Sequence, residues 1–254
     1  MGQELPGGYQ LGNVINIDHH AAVPRMRRFV SSANLAIEYV GAAGIVAESD
    51  RVIISHTDCD SILSSAIMRG SLPPDPMFGE AAIAADHTGE ENQIADLLQG
   101  MSEVRDVKAS MRNLRLLLQG SALEENASLL LNKRQEQRKD VHQHIAQGHV
   151  EKIGQVYLLI TETKVDAGLV PIFLPSAPVI LIANTYAEED RWEIAIRLGL
   201  GRPEGLTLDA LDIAGDDSAY GGRWNAGSNR RGGGTMIKPR AYARALDQKL
   251  IGLY

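Results

Sequence analysis

The sequence predicts an α/β protein with a parallel-sheet N-terminal domain and a smaller α/β C-terminal domain. Three short apolar runs, 13–17, 51–55 and 81–85, each end in a cluster of polar residues, and helical patterns follow the first two runs. Alternating strands and helices are typical of a parallel sheet that is covered on both faces. Because ligands bind beyond the carboxyl ends of such strands, we expect the three polar clusters to meet in one pocket.

The pattern changes in the second half of the chain. In residues 91–147 the apolar side chains have the spacing of helices. Near Gly148 the pattern changes to apolar runs that are separated by proline and glycine. We therefore place a domain boundary between residues 150 and 151, which divides the chain into two domains, 1–150 and 151–254. The elements predicted after the boundary are strands at 156–160, 179–183 and 192–198, a short helix at 206–214, a Gly-rich loop at 221–234 and a helix at 239–250.

Composition excludes some classes of function. The chain has 254 residues and a formal net charge of −7, which disfavours binding to duplex nucleic acid but leaves a small anionic substrate open. No apolar run is long enough to span a membrane, and no signal peptide is recognisable. The only cysteine, Cys59, is typical of a reducing compartment. We expect a cytoplasmic protein without a membrane partner, and a homodimer stays open.

The polar clusters have the chemistry of a metal site. They are Asp18-His19-His20, His56-Thr57-Asp58-Cys59-Asp60-Ser61 and Asp86-His87. Mixed imidazole and carboxylate ligands suit Mn, Fe, Zn or Co, and a concentration of acids is unfavourable unless cations neutralise it. Helix capping would explain one such cluster, but three at successive strand ends favour a site for two divalent ions that hydrolyses a phosphate ester or anhydride.

Four segments resemble motifs of the DHH phosphoesterases. VINIDHHAAVP, 14–24, resembles the motif that names the family, and SHTDCDSILSSAI, 55–67, resembles its first motif and that of the related manganese-dependent inorganic pyrophosphatases. AIAADHTG, 82–89, resembles the second motif, and GGRWNAGS, 221–228, resembles the GGGHxxAAG signature of the family's substrate-binding domain. The resemblance implies the family's two-domain fold, with a metal-binding catalytic domain, 1–150, and a substrate-binding domain, 151–254. It also implies a phosphoesterase activity.

The chain departs from the family pattern in three ways. Asp-His-His precedes the first motif, which implies a circular permutation; the segment 29–40 resembles the family's helix after Asp-His-His and supports this. The fourth acidic ligand has no clear match, and Asp96 and Asp106 are both open candidates. Arg223 stands where the family signature has histidine, which leaves the mode of substrate binding open.

The resemblance implies two divalent ions, with manganese expected and Mg, Co or Fe as alternatives. Their ligands would come from Asp18, His19, His56, Asp58, Asp60 and Asp86. Within this set, Asp86 would bridge the ions, with His56 and Asp58 on one ion and Asp60 and His19 on the other.

The resemblance also implies catalytic roles for Asp86, His19 and His20. His20 would contact the scissile phosphate or assist the leaving group. Asp18 would orient other groups of the site or bind a metal ion. His87 stays open between a ligand and a histidine at a strand end. Cys59 as a nucleophile is disfavoured, because no base is assigned to it.

The Gly-rich loop, 221–234, which we call the Gly/Arg loop, has the composition of a phosphate-binding segment. No acid occurs from 221 to 240, glycines permit close backbone approach, and arginines offer forked donors to phosphate. The alternative is a mobile basic surface loop. The predicted substrate-binding residues are Gly221, Gly222, Arg223, Trp224, Asn225, Arg230 and Arg231, with Trp224 stacking on a base.

Together these observations predict a metal-dependent phosphodiesterase. Its substrate would be a short oligonucleotide or a linear or cyclic dinucleotide, attacked by hydroxide that two metal ions activate. One alternative is a hydrolase of phosphoanhydrides that resembles the inorganic pyrophosphatases. Another is a sensor of nucleotides or metals that keeps the scaffold without turnover.

Overall fold

The chain forms two compact units, 1–136 and 137–254. A computed structural model describes residues 2–20, 29–185 and 190–253, so the end of the DHH-like motif, 21–24, lies outside the described residues. Helices and a six-stranded sheet confirm the predicted α/β class. The division falls within a long helix that precedes residue 150. The assignment of metal binding and substrate binding to separate halves stays a prediction.

The first unit begins with three short antiparallel strands and continues with helices. The strands are β1 (Gln3–Leu5), β2 (Gly8–Leu11) and β3 (Val14–Asn16). The helices are α1 (Ser32–Ala43), α2 (Cys59–Met68), α3 (Pro76–Ile83), α4 (Gln93–Met101), α5 (Val107–Leu118) and α6 (Glu125–Ala146), the last of which crosses into the second unit.

Side-chain caps define where these helices begin. Ser31 and Asn34 form a reciprocal capping box at α1, and aspartate or asparagine caps α2 to α5. The apolar faces of α2 and α4 are fully buried at Leu63, Ile67 and Leu98 in the largest core of this unit. This packing holds the N-terminal ends of α1 and α2 in place, and those ends carry the candidate site.

The predicted parallel sheet of the first half is wrong for the described residues. Residues 14–16 do form a strand, but it is antiparallel and largely exposed. The run 51–55 forms no strand with any described residue, and Ile53 is 84% exposed. The run 81–85 is helical. Alanine is the strongest helix former, and a short apolar run does not by itself distinguish strand from helix.

The second unit contains a mixed sheet with the strand order β4-β5-β6-β7-β9-β8. Only β5 and β6 are parallel among these pairs. The strands are β4 (Val150–Ile153), β5 (Val156–Thr161), β6 (Val179–Thr185), β7 (Trp192–Leu198), β8 (Gly221–Gly222) and β9 (Ala226–Ser228). The predicted strands at 156–160, 179–183 and 192–198 are thereby confirmed.

Helical segments cover this sheet. The predicted final helix is confirmed as α8 (Pro239–Ile251), which begins at a proline and buries Tyr242 and Leu246 against the sheet. The predicted helix at 206–214 is a 3₁₀ turn, Leu208–Leu211, followed by the short α7 (Ile213–Asp216). In the described part of the chain, the helices are all too short or too polar to span a bilayer.

Candidate metal centre

His19 is the central side chain of the site. It lies after β3 and is completely buried. Its Nδ1 atom is 3.2 Å from Oδ2 of Asp60, and its Nε2 atom is 3.2 Å from Oδ2 of Asp86. The backbone N–H of Ser32 also approaches Nδ1, at 3.1 Å. One imidazole therefore joins three segments that are distant in the sequence.

Asp60 connects this imidazole to the beginning of a helix. It lies in the first turn of α2, and its carboxylate accepts N–H bonds from Ser32 at 3.1 Å and Ala33 at 2.8 Å. Both donors are free N–H groups at the N-terminus of α1, where the helix dipole favours a negative charge. Asp60 thus ties α1 to α2 and holds His19 at their junction.

Asp86 and His87 lie in a π-helical turn, Ala84–Thr88, that extends α3. Such turns insert extra backbone into a helix and are frequent at functional sites. The buried His87 donates from Nε2 to the carbonyl oxygen of Val30 at 3.0 Å. In the neutral tautomer that this bond selects, Nδ1 carries no proton and can act as a ligand atom. One ligand atom each from His19, Asp86 and His87 lies within 4.8 Å of the other two.

Asp18 and His20 form a second group with His19. Oδ1 of Asp18 is 2.9 Å from Nδ1 of His20 and accepts the backbone N–H of His20 at 2.9 Å. The hydrogen bond from the His20 side chain outweighs partial burial and lowers the pKa of Asp18 to about 2. The rings of His19 and His20 have centroids 3.6 Å apart, and ligand atoms of all three residues lie within 4.8 Å.

The charges at the centre are strongly coupled. Burial alone would lower the pKa of His19, but the carboxylates of Asp60 and then Asp86 raise it to about 9. Burial alone would raise the pKa of Asp86, but His19 holds it well below its usual range. The site therefore stabilises a positive charge between Asp60 and Asp86.

The geometry at His19 fits a metal ion. Nε2 is buried and makes no hydrogen bond to any described residue, although Asp86 lies only 3.2 Å away. Nitrogen and oxygen ligands of a first-row metal lie about 2.0–2.2 Å from the ion, which places two neighbouring ligand atoms about 2.9–3.4 Å apart at octahedral to tetrahedral angles. The separation of 3.2 Å between Nε2 of His19 and Oδ2 of Asp86 therefore fits two ligands of one ion.

The structure does not bring His56 and Asp58 into this centre. His56 is exposed, with Nδ1 2.9 Å from the hydroxyl of Ser55, and Asp58 caps α2 by accepting the N–H of Ser61 at 3.0 Å. Neither belongs to a group of metal-ligating atoms among the described residues. Their role as ligands of the first ion stays a prediction, and the run 51–55 does not form the strand that was expected to aim them at Asp86.

The two candidates for a fourth acid have structural partners. Asp96 is buried with Arg134, whose Nε lies 3.9 Å from its carboxylate, and Asp106 caps α5 through the N–H of Ala109. Cys59 is completely buried, and this burial, together with nearby carboxylates, raises the pKa of its thiol. A raised pKa keeps the thiol protonated, which agrees with the sequence argument that disfavours a cysteine nucleophile.

The Gly/Arg loop is divided between two ends of the second unit's sheet. Asn225 bonds to Leu198 at one end of β7, whereas Asn229 bonds to Ile194 near the other. Four strand steps separate these positions, a distance of about 14 Å. Arg230 and its neighbour Arg231 lie at the end where β5 and β6 have their carboxyl termini, and Arg223 lies at the opposite end. The predicted set does not form one cluster.

Three residues of that set have evident structural roles. Trp224 is only 4% exposed and packs in the sheet core, a position that accounts for it structurally, and its predicted stacking on a base stays a prediction. Gly221 and Gly222 form the edge strand β8, and a Cβ on Gly222 would lie 2.5 Å from Cα of Gly227. Glycine here permits two strands to approach closely.

Sequence reasoning missed two residues that organise these regions. The hydroxyl of Ser32 accepts the backbone N–H of His19 and also bonds to the ring nitrogen Nδ1. The sequence indicated only that Ser32 opens a helix. Asp217 is buried and accepts bonds from Asn229 and Tyr242, which anchors the Gly/Arg loop. No local signal distinguishes Asp217 from its exposed neighbour Asp216.

Comparisons with known proteins are limited. No protein-family profile and no curated protein matches the chain. Among solved structures, one similar chain is the pGpG-specific phosphodiesterase PggH from Vibrio cholerae, with a TM-score of 0.47 and 12% sequence identity over 72% of this chain and 70% of that chain. A likeness of this degree does not assign a function, which has to be argued from the site.

Proposed function

We propose that this chain is a metal-dependent phosphohydrolase that cleaves a small phosphodiester, such as a short oligonucleotide or a linear or cyclic dinucleotide. The observation that carries the proposal is the buried His19, whose Nε2 lies 3.2 Å from Oδ2 of Asp86 and which offers a ligand atom within 4.8 Å of one from His87. The motif resemblance supplies the reaction class, and the geometry supplies a centre where such chemistry can occur.

His19, Asp86 and His87 would hold one divalent ion. Asp18 and His20, whose ligand atoms lie within 4.8 Å of one from His19, could hold a second ion near that ring. Two imidazoles and a carboxylate suit Mn, Fe, Co or Zn better than Mg, and manganese is the ion we propose. When bound, such ions polarise phosphoryl oxygens and promote ionisation of an attacking water.

The chain's own residues prepare these ligands. Asp60 lies at Nδ1 of His19, which directs Nε2 towards Asp86. The Val30 carbonyl accepts from Nε2 of His87, so Nδ1 would be the ligand atom of that ring. Metal-ligating histidines commonly donate their second ring N–H to such oxygens. We therefore assign Asp60 to orienting His19, a different role from the ligand that the motif resemblance implies.

The Asp18–His20 pair can move a proton. Asp18 accepts from Nδ1 of His20, which orients the ring so that Nε2 is the atom that exchanges protons. A protonated His20 would donate to the leaving oxygen of the phosphodiester. The half-buried position of His20 permits contact with a ligand.

The test is to measure metal content and turnover of Asp86→Asn against Asp75→Asn. Asp75 is an exposed helix cap, and asparagine caps equally well, so this control changes the same chemistry away from the site. With Mn²⁺, we expect wild type and Asp75→Asn to hydrolyse dinucleotides, and Asp86→Asn to lose at least about 100-fold in turnover together with bound metal. Metal binding is read by electron paramagnetic resonance, products by chromatography and folding by circular dichroism.

The other outcomes separate the alternatives. Cleavage of pyrophosphate alone would indicate a phosphoanhydride hydrolase. Metal binding without hydrolysis of any of these substrates would indicate a sensor, a reading that the separate location of His56 and Asp58 favours. A wild-type protein that binds no Mn²⁺ would refute the centre itself.

A further inference from the structure

We propose that the second unit binds a nucleobase at the carboxyl ends of β5 and β6 through Asn184 and Glu193, and that guanine is the base they select. The inference rests on the proposed function for its relevance to a substrate. It stands on other residues than the metal centre, and its test is binding rather than hydrolysis.

Three polar side chains form a row across neighbouring strands at this end of the sheet. Thr161 pairs with Asn184 in the parallel ladder, and Asn184 pairs with Glu193 in the antiparallel one. Side chains of directly paired residues lie on the same face, with Cβ atoms about 4.5–5.5 Å apart in antiparallel pairs. The carboxyl ends of parallel strands are where ligands bind in open α/β sheets.

Asn184 presents a hydrogen-bond donor at this end of the sheet. The side chain is 9% exposed, and its Oδ1 accepts a bond from the hydroxyl of the buried Thr161. In this arrangement Oδ1 faces the Thr161 hydroxyl and Nδ2 is the outward atom of the amide. Within the described parts of the chain, Nδ2 makes no hydrogen bond, and it is not among the fully buried polar atoms, so it is available to a ligand at this edge.

Glu193 presents an acceptor beside that donor. Its side chain is 17% exposed, and the one ionic contact found for it among described residues is Nε of Arg230 at 3.7 Å, which is too long for a hydrogen bond. A carboxylate that is mostly removed from water needs hydrogen-bond donors. Arg230 offsets part of its charge without occupying its oxygens.

An amide donor next to a carboxylate matches the Watson–Crick edge of guanine. Guanine offers O6 as an acceptor for Nδ2 of Asn184, followed by two parallel N–H donors, N1 and N2, for the carboxylate of Glu193. This makes three bonds, two of them in the forked arrangement that carboxylates favour. Along the corresponding edge, adenine, cytosine and uracil each offer one acceptor to Asn184 and one donor group to Glu193, so each would make two bonds.

The probes are GMP, IMP and AMP, added to the full chain in EDTA and followed by calorimetry. IMP lacks the N2 amino group, so the loss of one bond to a charged acceptor should weaken its binding at least about tenfold relative to GMP. AMP should bind more weakly than GMP as well. EDTA removes metal chemistry from the measurement.

The matched variants are Glu193→Gln and Glu162→Gln. Both remove one carboxylate, but Glu162 is an exposed residue just after β5. Glu193→Gln should weaken GMP binding at least about tenfold and reduce the difference in affinity between GMP and IMP. A glutamine side chain has one oxygen and cannot accept both N–H groups of guanine as a carboxylate does. Glu162→Gln should bind like wild type, and thermal melts establish that both variants fold.

Equal affinity for GMP, IMP and AMP, no GMP binding at millimolar concentration, or equal behaviour of the two variants would each overturn the inference. GMP selectivity in a protein without hydrolase activity would refute the proposed function and leave this subsite standing. Hydrolysis of dinucleotides without any preference for guanine would refute this base-binding site and leave the proposed function standing.

Discussion

Replacement of Tyr242 by phenylalanine removes one hydroxyl from the buried network that anchors the Gly/Arg loop. This hydroxyl donates to Oδ2 of Asp217 at 3.1 Å, and Asp217 also accepts from Asn229 at 3.0 Å and from the N–H of Ala219 at 3.2 Å. Burial and the charge of Asp217 raise the pKa of Tyr242, so the hydroxyl stays protonated as a donor. A hydrogen bond to a buried charge contributes about 1.5–3 kcal/mol. Because Asp217 keeps two donors and the ring is unchanged, we expect Tyr242→Phe to lower the free energy of unfolding by about 2 kcal/mol.

The measurement is urea unfolding followed by tryptophan fluorescence. Both tryptophans, Trp192 and Trp224, belong to the second unit, so the signal reports the unit that contains the network. Tyr157→Phe is the control, since the hydroxyl of Tyr157 bonds to Ser176 at 3.1 Å in an exposed position and should contribute under about 0.5 kcal/mol. Equal losses in the two variants would refute the argument that burial of Asp217 makes its donors important.

Two further predictions concern the first unit. Gly7→Ala should destabilise the protein by more than Gly12→Ala: both glycines have a positive φ, but a Cβ at Gly7 would lie 2.0 Å from the carbonyl oxygen of Leu35, whereas one at Gly12 meets no described atom within 4 Å. Thermal melting compares the two variants, and equal melting temperatures would contradict the close approach of this turn to α1. Cys59 should react with Ellman's reagent only in denaturant, because the thiol is buried and its pKa is raised. Rapid reaction in the native protein would show that the centre opens.

Local signals were sufficient for most of the second unit. The strands β5, β6 and β7 are apolar runs separated by proline and glycine, and α8 begins at Pro239, so strand, helix and boundary each had their own signal. In the first unit, the alanines of 81–85 were compatible with either element. Their place in a helix depends on the start of α3 and on packing against α1 and α2, which no short window contains.

Asp58 and Asp60 show why the site could be predicted only in part. They are two residues apart in one motif, yet a helix turns by about 100° per residue, so the first carboxylate caps its own helix while the second reaches across to α1 and His19. The sequence alone determined the α/β class and the presence of acids and imidazoles with metal-binding chemistry. Only the tertiary structure decided that Asp86, His87 and His19 meet while His56 does not join their group, because convergence depends on how helices pack and on which faces they bury.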